Sequence, residues 1–105
     1  MTVNFQINGQ SFTALNGGPL FRFTEAISLQ VFCETQEEID HYWKNLTMDG
    51  GEEGRCGWLK DKFGLSWQIV PTILSELMSD PARAGRVTQA FLQMRKFDIE
   101  KLMKA

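Results

Sequence analysis

Residues 58–71 have the sequence WLKDKFGLSWQIVP, and this stretch decides the fold of the chain. Two apolar, alternating runs flank a short turn at residues 61–64, which is typical of an antiparallel hairpin. The second run has one apolar face and one face of neutral hydrogen-bonding groups, with Leu65, Trp67 and Ile69 on the first and Ser66 and Gln68 on the second. This pattern predicts a sheet packed on one side, whose other side lines a wet cavity suited to a small molecule.

The composition is that of one ordinary globular domain. The chain has 105 residues, of which 43% are hydrophobic and 23% charged, and a formal net charge of −2. Acidic and basic residues are interspersed, so the sequence has no cluster of basic residues that would indicate nucleic-acid binding. No apolar run approaches the roughly 20 residues that cross a bilayer, and we expect no signal peptide and no membrane partner. Cys33 and Cys56 lack metal-ligand spacing, so we expect a reduced, cytoplasmic protein.

The first 33 residues predict three strands. The first two strands form a hairpin around the pair Asn8-Gly9, which is a strong two-residue turn signal. The third strand, residues 26–33, follows a loop and has one apolar face. Its other face repeats the polarity seen in the second run of residues 58–71, with Ser28, Gln30 and Phe32.

A capping box marks the longest predicted helix. The side chains of Thr35 and Glu38 each satisfy a free backbone N–H at the start of this helix, which runs to about Leu46. Strands are predicted at 55–60 and 65–70, and a further short strand at 51–54 is left open. Three shorter helices are predicted after residue 71, over Ile73 to Met78, after Asp80-Pro81, and from Asp98. We therefore expect an α+β domain.

Three motifs resemble the PhnB-like family. They lie at residues 8–19 (NGQSFTALNGGP), 34–43 (ETQEEIDHYW) and 57–68 (GWLKDKFGLSWQ), and the resemblance covers nearly the whole chain. The family is often labelled 3-demethylubiquinone-9 3-methyltransferase-like and belongs to the glyoxalase, bleomycin-resistance and dioxygenase (vicinal oxygen chelate) superfamily. The resemblance implies a glyoxalase-like fold, in which βαβββ modules build a curved mixed sheet that cups a ligand cleft, with helices outside.

The resemblance also implies how the single domain, 1–105, is divided. Residues 1–19 would be the hairpin that closes a first module, residues 26–70 the second βαβββ module, and residues 72–105 the C-terminal helices. Family members usually begin with a strand and a helix that this sequence lacks, and we expect a longer sequence or a neighbouring subunit to supply them. A half-cupped sheet exposes edge strands and apolar surface, so we expect a homodimer.

The polar face of the predicted sheet is the candidate ligand site. Cavities for small molecules combine apolar walls with a few fixed polar groups. We therefore assign ligand binding to the neutral and aromatic residues of this face, Asn16, Ser28, Gln30, Phe32, Trp58, Ser66 and Gln68. The competing interpretation is that these residues face solvent or a dimer seam.

Metal chemistry fits this sequence poorly. The resemblance implies a divalent ion held by His and Glu side chains, but Asn16, Gln30 and Gln68 stand in the matching regions. Neutral amides are poor ligands for Zn²⁺, Ni²⁺ or Fe²⁺. We therefore expect no metal and no cofactor. The single histidine, His41, is expected to be a solvated helix residue, and Cys33 to be a core residue.

Three functions remain open at this point. The leading one is a PhnB-like protein that binds a small organic ligand without a metal, with its catalytic residues and its status as an enzyme unassigned. The second is a metal-dependent lyase, isomerase or dioxygenase completed by an N-terminal segment or a partner subunit. The third is a dimerisation module without catalysis. The methyltransferase label has no support, because the sequence lacks a glycine-rich strand-to-helix turn with a downstream acidic residue.

Overall fold

Three parts follow one another along the chain in the computed structural model, which describes residues 1–105. The first is a hairpin of β1 (Thr2–Ile7) and β2 (Gln10–Leu15). The second is a βαβββ unit of β3 (Ser28–Cys33), α1 (Gln36–Thr47), β4 (Glu52–Glu53), β5 (Trp58–Lys60) and β6 (Ser66–Pro71). The third consists of three short helices, α2 (Ile73–Met78), α3 (Ala84–Leu92) and α4 (Ile99–Lys104).

The four strands of the βαβββ unit form one mixed sheet in the order β3-β6-β5-β4. β3 runs parallel to β6, whereas β5 is antiparallel to both β6 and β4. The register pairs Ser28 with Ser66, Gln30 with Gln68, Trp58 with Gln68, and Lys60 with Ser66. Side chains of one parity therefore form rows that cross the sheet. The α+β class and the glyoxalase-like βαβββ unit are confirmed.

The helices cover only one face of this sheet. The core between sheet and helices consists of nine buried apolar side chains, Cys33, Ile39, Trp43, Leu59, Ile69, Leu77, Val87, Phe97 and Leu102. The three that come from strands share one parity, so the residues between them point away from the helices. One side of the sheet is therefore left uncovered by this chain.

Several predicted boundaries differ from the structure. β3 starts at Ser28, not at residue 26, and β5 starts at Trp58, not at residue 55. The backbone before β5 is instead held by the C-terminal part, since the N–H groups of Cys56 and Gly57 donate to the carbonyls of Met94 and Arg95 at 2.9 and 2.8 Å. The short strand left open at 51–54 exists as β4, and β6 extends one residue beyond 70 to Pro71.

The helix predicted after Asp80-Pro81 starts late. α3 begins at Ala84, because Asp80 closes a separate turn whose backbone N–H groups bond to it. The N–H of Ala82 donates to Asp80 Oδ1, and the N–H of Arg83 donates to the Asp80 carbonyl, both at 3.0 Å.

None of the helices combines the length and the hydropathy that a membrane-spanning segment needs.

The hairpin of β1 and β2 forms a separate two-stranded sheet. Asn8 and Gly9 both have positive φ angles, 50° and 78°, as the tight turn between the strands requires. Phe5 and Phe12 stack with their ring centroids 5.5 Å apart, but Phe5 is still 42% exposed. The radius of gyration is 15.7 Å, compared with about 13 Å for a compact chain of this length. The hairpin therefore extends the molecule.

Candidate functional site

The open face is the side of the four-stranded sheet that points away from the helices. Its side chains come from all four strands, Ser28, Gln30 and Phe32 from β3, Ser66, Gln68 and Val70 from β6, Trp58 and Lys60 from β5, and Glu52 from β4. Their parity is opposite to that of the buried strand residues Cys33, Leu59 and Ile69. Six of the seven residues predicted to bind a ligand therefore share one surface.

Three polar side chains on the open face are hydrogen-bonded to one another, and we call them the amide ladder. Gln30 Nε2 donates to Gln68 Oε1 at 3.3 Å, and Gln68 Nε2 donates to Ser28 Oγ at 2.9 Å. These bonds fix which end of each amide is the donor. Gln30 Oε1 has no hydrogen bond within the chain, so it remains an acceptor facing outward.

The Ser66 cavity lies beside the amide ladder, on the side of β4, and has a volume of about 290 Å³. Trp58 and Lys60 line it from β5, and Glu25 and Glu52 add carboxylates. The side chain of Ser66 is fully buried, and its Oγ has no hydrogen-bond partner. Buried polar groups nearly always have a partner, because leaving one unpaired costs about 1–3 kcal/mol. This orphaned hydroxyl is the unusual feature of the cavity.

Two of the residues that line the Ser66 cavity form an ion pair. Lys60 Nζ lies 2.9 Å from Glu25 Oε1, which belongs to the loop before β3. The hydrogen bond and charge of Lys60 hold the pKa of the Glu25 carboxyl below its usual value. In turn, the hydrogen bond to Glu25 and the negative charge of Glu25, together with the charge of Glu52, raise the pKa of Lys60. Both groups are therefore charged over the whole physiological range.

The predicted residues do not all meet in one cavity. Ser66 and Trp58 line the Ser66 cavity, whereas Ser28, Gln30 and Gln68 form the amide ladder on the surface next to it. Phe32 stands in the row beyond the ladder and is 60% exposed. Asn16 lies apart, because it follows the separate hairpin and borders a cavity between that hairpin and residues 62–64.

Sequence reasoning assigned none of the five charged residues that line the Ser66 cavity to the ligand site, namely Glu25, Glu52, Glu53, Arg55 and Lys60. Lys60 and Glu52 could have been found, because the hairpin register places Lys60 opposite Ser66 and Glu52 opposite Lys60. Glu25 carries no such signal, since it lies in a loop without periodicity.

A larger cavity of about 990 Å³ lies on the helical side, between the start of α1 and residues 93–104. Its walls are mostly charged and already pair with one another, as Lys96 does with Asp40 at 2.7 Å. The side chain of Gln36 bridges it by accepting from the N–H of Ile99 and donating to the carbonyl of Phe97. This cavity is therefore a seam between elements of the fold, and we do not treat it as the functional site.

The residues of the open face do not fit a divalent transition metal. The amides of Gln30 and Gln68 are bonded to each other, and the nearest cationic group, Lys60, would repel an ion. Nowhere do three His, Cys, Asp or Glu side chains gather as a group that could hold one. His41 is exposed on α1, and Cys33 lies in the core, where burial raises the pKa of its thiol.

The βαβββ unit and its uncovered polar face define a small α+β protein with a glyoxalase-like fold. The model of the family described as 3-demethylubiquinone-9 3-methyltransferase matches residues 1–70. The chain belongs to this family, that of the PhnB-like proteins, as its three motifs predicted. Residues 71–105, with the C-terminal helices, lie outside the matched part.

A solved structure supports the same assignment. It is a PhnB protein from Bacillus cereus, described as a proposed 3-demethylubiquinone-9 3-methyltransferase, with 36% sequence identity and a TM-score of 0.63. The match covers 69% of this chain and 64% of the Bacillus cereus chain, which is less than two thirds of that protein's length. No curated protein matches the chain.

Proposed function

We propose that this chain binds a small organic molecule on the open face of its four-stranded sheet. The observation that carries the proposal is the amide ladder, whose hydrogen bonds at 2.9 and 3.3 Å fix donors and acceptors on an uncovered surface. An exposed aromatic wall, Phe32, and a half-buried one, Trp58, stand on either side of it. Preoriented polar groups between apolar walls are what small-ligand sites require.

The proposal includes a homodimer and a place in the glyoxalase superfamily. The hairpin exposes Val3, Phe5 and Ile7 along one of its faces, and the loop after it exposes Phe21 and Phe23. A contiguous apolar surface of this kind favours association. A second copy would bury it and could also close the open face into a cleft.

Because both cysteines are free thiols, a reducing, cytoplasmic environment belongs to the same proposal.

Methyl transfer is not part of the proposal, although the family description names it. The connections from β3 to α1 and from β6 to α2 are Glu34-Thr35 and Thr72, and neither contains glycine. A glycine-rich strand-to-helix turn is what brings backbone N–H groups close to a dinucleotide-like cofactor. The family description therefore supports kinship rather than an activity.

An NMR titration of the full chain with a library of small organic fragments tests the proposal. We expect the backbone amide signals of residues 28–32 and 66–70 to shift. Replacing Gln68→Leu should weaken binding of the responding fragments about fivefold, because the ladder loses its central member. The matched control is Gln89→Leu, which replaces an exposed glutamine of α3 and should leave binding unchanged.

Two results would contradict ligand binding on the open face. One is a library whose responding fragments shift only signals of the helices. The other is a Gln68→Leu protein that is folded and binds every fragment as the unaltered chain does.

A further inference from the structure

We propose that the Ser66 cavity binds the carboxylate of a small organic acid, and that Glu25 occupies the Lys60 position when no acid is present. This inference rests on the proposed function, because the cavity opens on the same face. It adds the chemical class of the ligand, a monocarboxylate with a short apolar or aromatic remainder.

The two donors that would hold the carboxylate are neighbours across the sheet. Lys60 and Ser66 are paired directly in the β5–β6 register, so their Cβ atoms are about 5 Å apart. The ammonium of Lys60 has three N–H donors, and within the chain it pairs only with Glu25. The hydroxyl of Ser66 pairs with nothing. A carboxylate, with two oxygens, can accept from both groups at once.

Glu25 makes only part of this arrangement. Its Oε1 lies 2.9 Å from Lys60 Nζ, but the carboxylate accepts no hydrogen bond from the hydroxyl of Ser66. The ion pair is the only hydrogen bond or salt bridge that ties residues 17–27 to the rest of the chain. The side chains of Lys60 and Glu25 are 39% and 65% exposed, and water screens such pairs strongly. An acid that also satisfies Ser66 therefore has an advantage over Glu25.

The surrounding charges explain why the acid would replace Glu25 instead of joining it. Glu52 lies opposite Lys60 on β4 and already places a second carboxylate near the ammonium, while Glu53 and Arg55 add one charge of each sign to the cavity lining. A third carboxylate would be repelled, whereas an exchange leaves the charge around Lys60 as it was. The pairing of Glu25 with Lys60 thus makes the loop before β3 a competitor for the site.

The remainder of the ligand would lie against Trp58. This residue is two positions before Lys60 on the same strand face and borders the cavity with its half-buried side chain. The cavity volume of about 290 Å³ is at the lower end of the range for small-molecule sites. A single aromatic ring or a short aliphatic chain fits these dimensions.

The test compares benzoate with benzamide, which has the same ring without the charge, by calorimetric titration of the full chain. We expect benzoate to bind about tenfold more tightly. Lys60→Met should abolish this preference, and Ser66→Ala should weaken benzoate binding about fivefold. Glu25→Gln should tighten benzoate binding several-fold, because the neutral amide competes less for Lys60.

The matched controls are Lys104→Met and Glu100→Gln, which break an exposed ion pair of 2.7 Å on α4. Both should bind benzoate as the unaltered chain does, and circular dichroism establishes that each variant is folded. Tighter binding by Glu25→Gln cannot come from misfolding, so this variant keeps the test informative if Ser66→Ala does not fold.

Each outcome separates this inference from the proposed function. Equal binding of benzoate and benzamide, or a Lys60→Met protein that keeps the preference, would show the carboxylate site to be wrong while fragment binding on the open face stands. Benzoate binding that weakens in Glu25→Gln would overturn the role of Glu25. If fragments bind the ladder but benzoate does not bind at all, the inference fails alone; if nothing binds the open face, both fail.

Discussion

Gly57 is the residue at which the turn before β5 meets the C-terminal part of the chain. Its φ angle is +82°, a region that L side chains rarely adopt. A Cβ atom at this position would lie 2.3 Å from Cε2 of Phe97 and 2.9 Å from the carbonyl oxygen of Ile69. Phe97 is itself a core residue. Any side chain at residue 57 therefore has to displace the core.

Gly57→Ala should lower the free energy of unfolding by about 2–4 kcal/mol, because strain in φ adds to overpacking. Urea denaturation measures the change. The matched control is Gly85→Ala in α3, where a Cβ meets open space. That change should raise stability by about 0.5–1 kcal/mol, as alanine favours helix over glycine. Similar effects of the two substitutions would contradict the role given to Gly57.

Asp40 ties α1 to the segment before α4 in a way that depends on pH. The hydrogen bond from Lys96, followed by the one from Gln36, holds the pKa of the Asp40 carboxyl below its usual value of 3.8. The pKa is lower in the folded than in the unfolded state. The stabilisation is therefore present above about pH 4 and is lost as the pH falls through the folded-state pKa.

Asp40→Asn should flatten the acid side of the stability profile. The effect near neutral pH is about 0.5 kcal/mol or less, since the ion pair is exposed. Urea denaturation at a series of pH values from acid to neutral measures it. Lys96→Met, which removes the partner, should flatten the same part of the curve. A profile of Asp40→Asn parallel to that of the unaltered chain would contradict this origin of the pH dependence.

At the scale of the element, one carboxylate organises the hairpin of β5 and β6. Asp61 Oδ1 accepts from the backbone N–H groups of Phe63 and Leu65 at 2.9 and 3.0 Å. Its Oδ2 accepts from the indole N–H of Trp67 at 3.0 Å. One carboxylate that accepts from three donors therefore holds the turn and the following strand in register.

Asp61→Ala should lower the free energy of unfolding by about 2–3 kcal/mol, because three hydrogen bonds to a charged acceptor are lost together. Thermal and urea unfolding measure it, and amide signals of residues 61–67 should shift most in an NMR spectrum. Lys62→Ala is the matched control, since Lys62 is an exposed neighbour in the same turn. An equal loss of stability in both variants would contradict the specific role given to the Asp61 carboxylate.

The elements of the βαβββ unit could be predicted from the sequence where the signal is local. Alternation in β6 places Ile69 in the core and Gln68 on the open face, as the structure shows. The capping box is confirmed, with the N–H of Glu38 donating to Thr35 Oγ1 at 3.2 Å. The start of β5 was wrong because the preceding turn bonds to the distant residues Met94 and Arg95.

The candidate site, like the strands and helices, could be predicted from the sequence only where the signal is local. Parity predicts that Ser28, Gln30 and Gln68 are neighbours, and the structure joins them in the amide ladder. The full burial of Ser66 could not be predicted, because alternation gives the face on which a side chain lies and not how far its neighbours shield it from water. No local pattern in the sequence indicates that Glu25 approaches Lys60.

At the scale of the whole molecule, the hairpin is the part that this chain leaves unpacked. The molecule measures 51 × 26 × 23 Å, and β1 and β2 make no ladder with the four-stranded sheet. Every residue of β1 is exposed, including the apolar ones that alternate along it. Isolated two-stranded hairpins are marginally stable in water. The homodimer proposed above would give this hairpin a surface to pack on.

Phe5→Glu should shift the homodimer toward monomer, because it places a charge on the apolar face of the hairpin. The matched control is Gln6→Glu, which adds the same charge to the polar face of the same strand. Sedimentation equilibrium measures the mass, expected at twice the 12.0 kDa of one chain for the unaltered protein and the control. A monomeric unaltered chain, or equal masses for both variants, would contradict the proposed association.

The three tryptophans lie in different surroundings. The indole N–H of Trp43 is held by Glu53, that of Trp67 by Asp61, and both rings pack against the core, whereas Trp58 lies on the open face. A molecule that settles there would change the fluorescence of one ring and leave the other two as a constant background. The protein thus carries its own optical indicator of occupancy, which needs no attached dye.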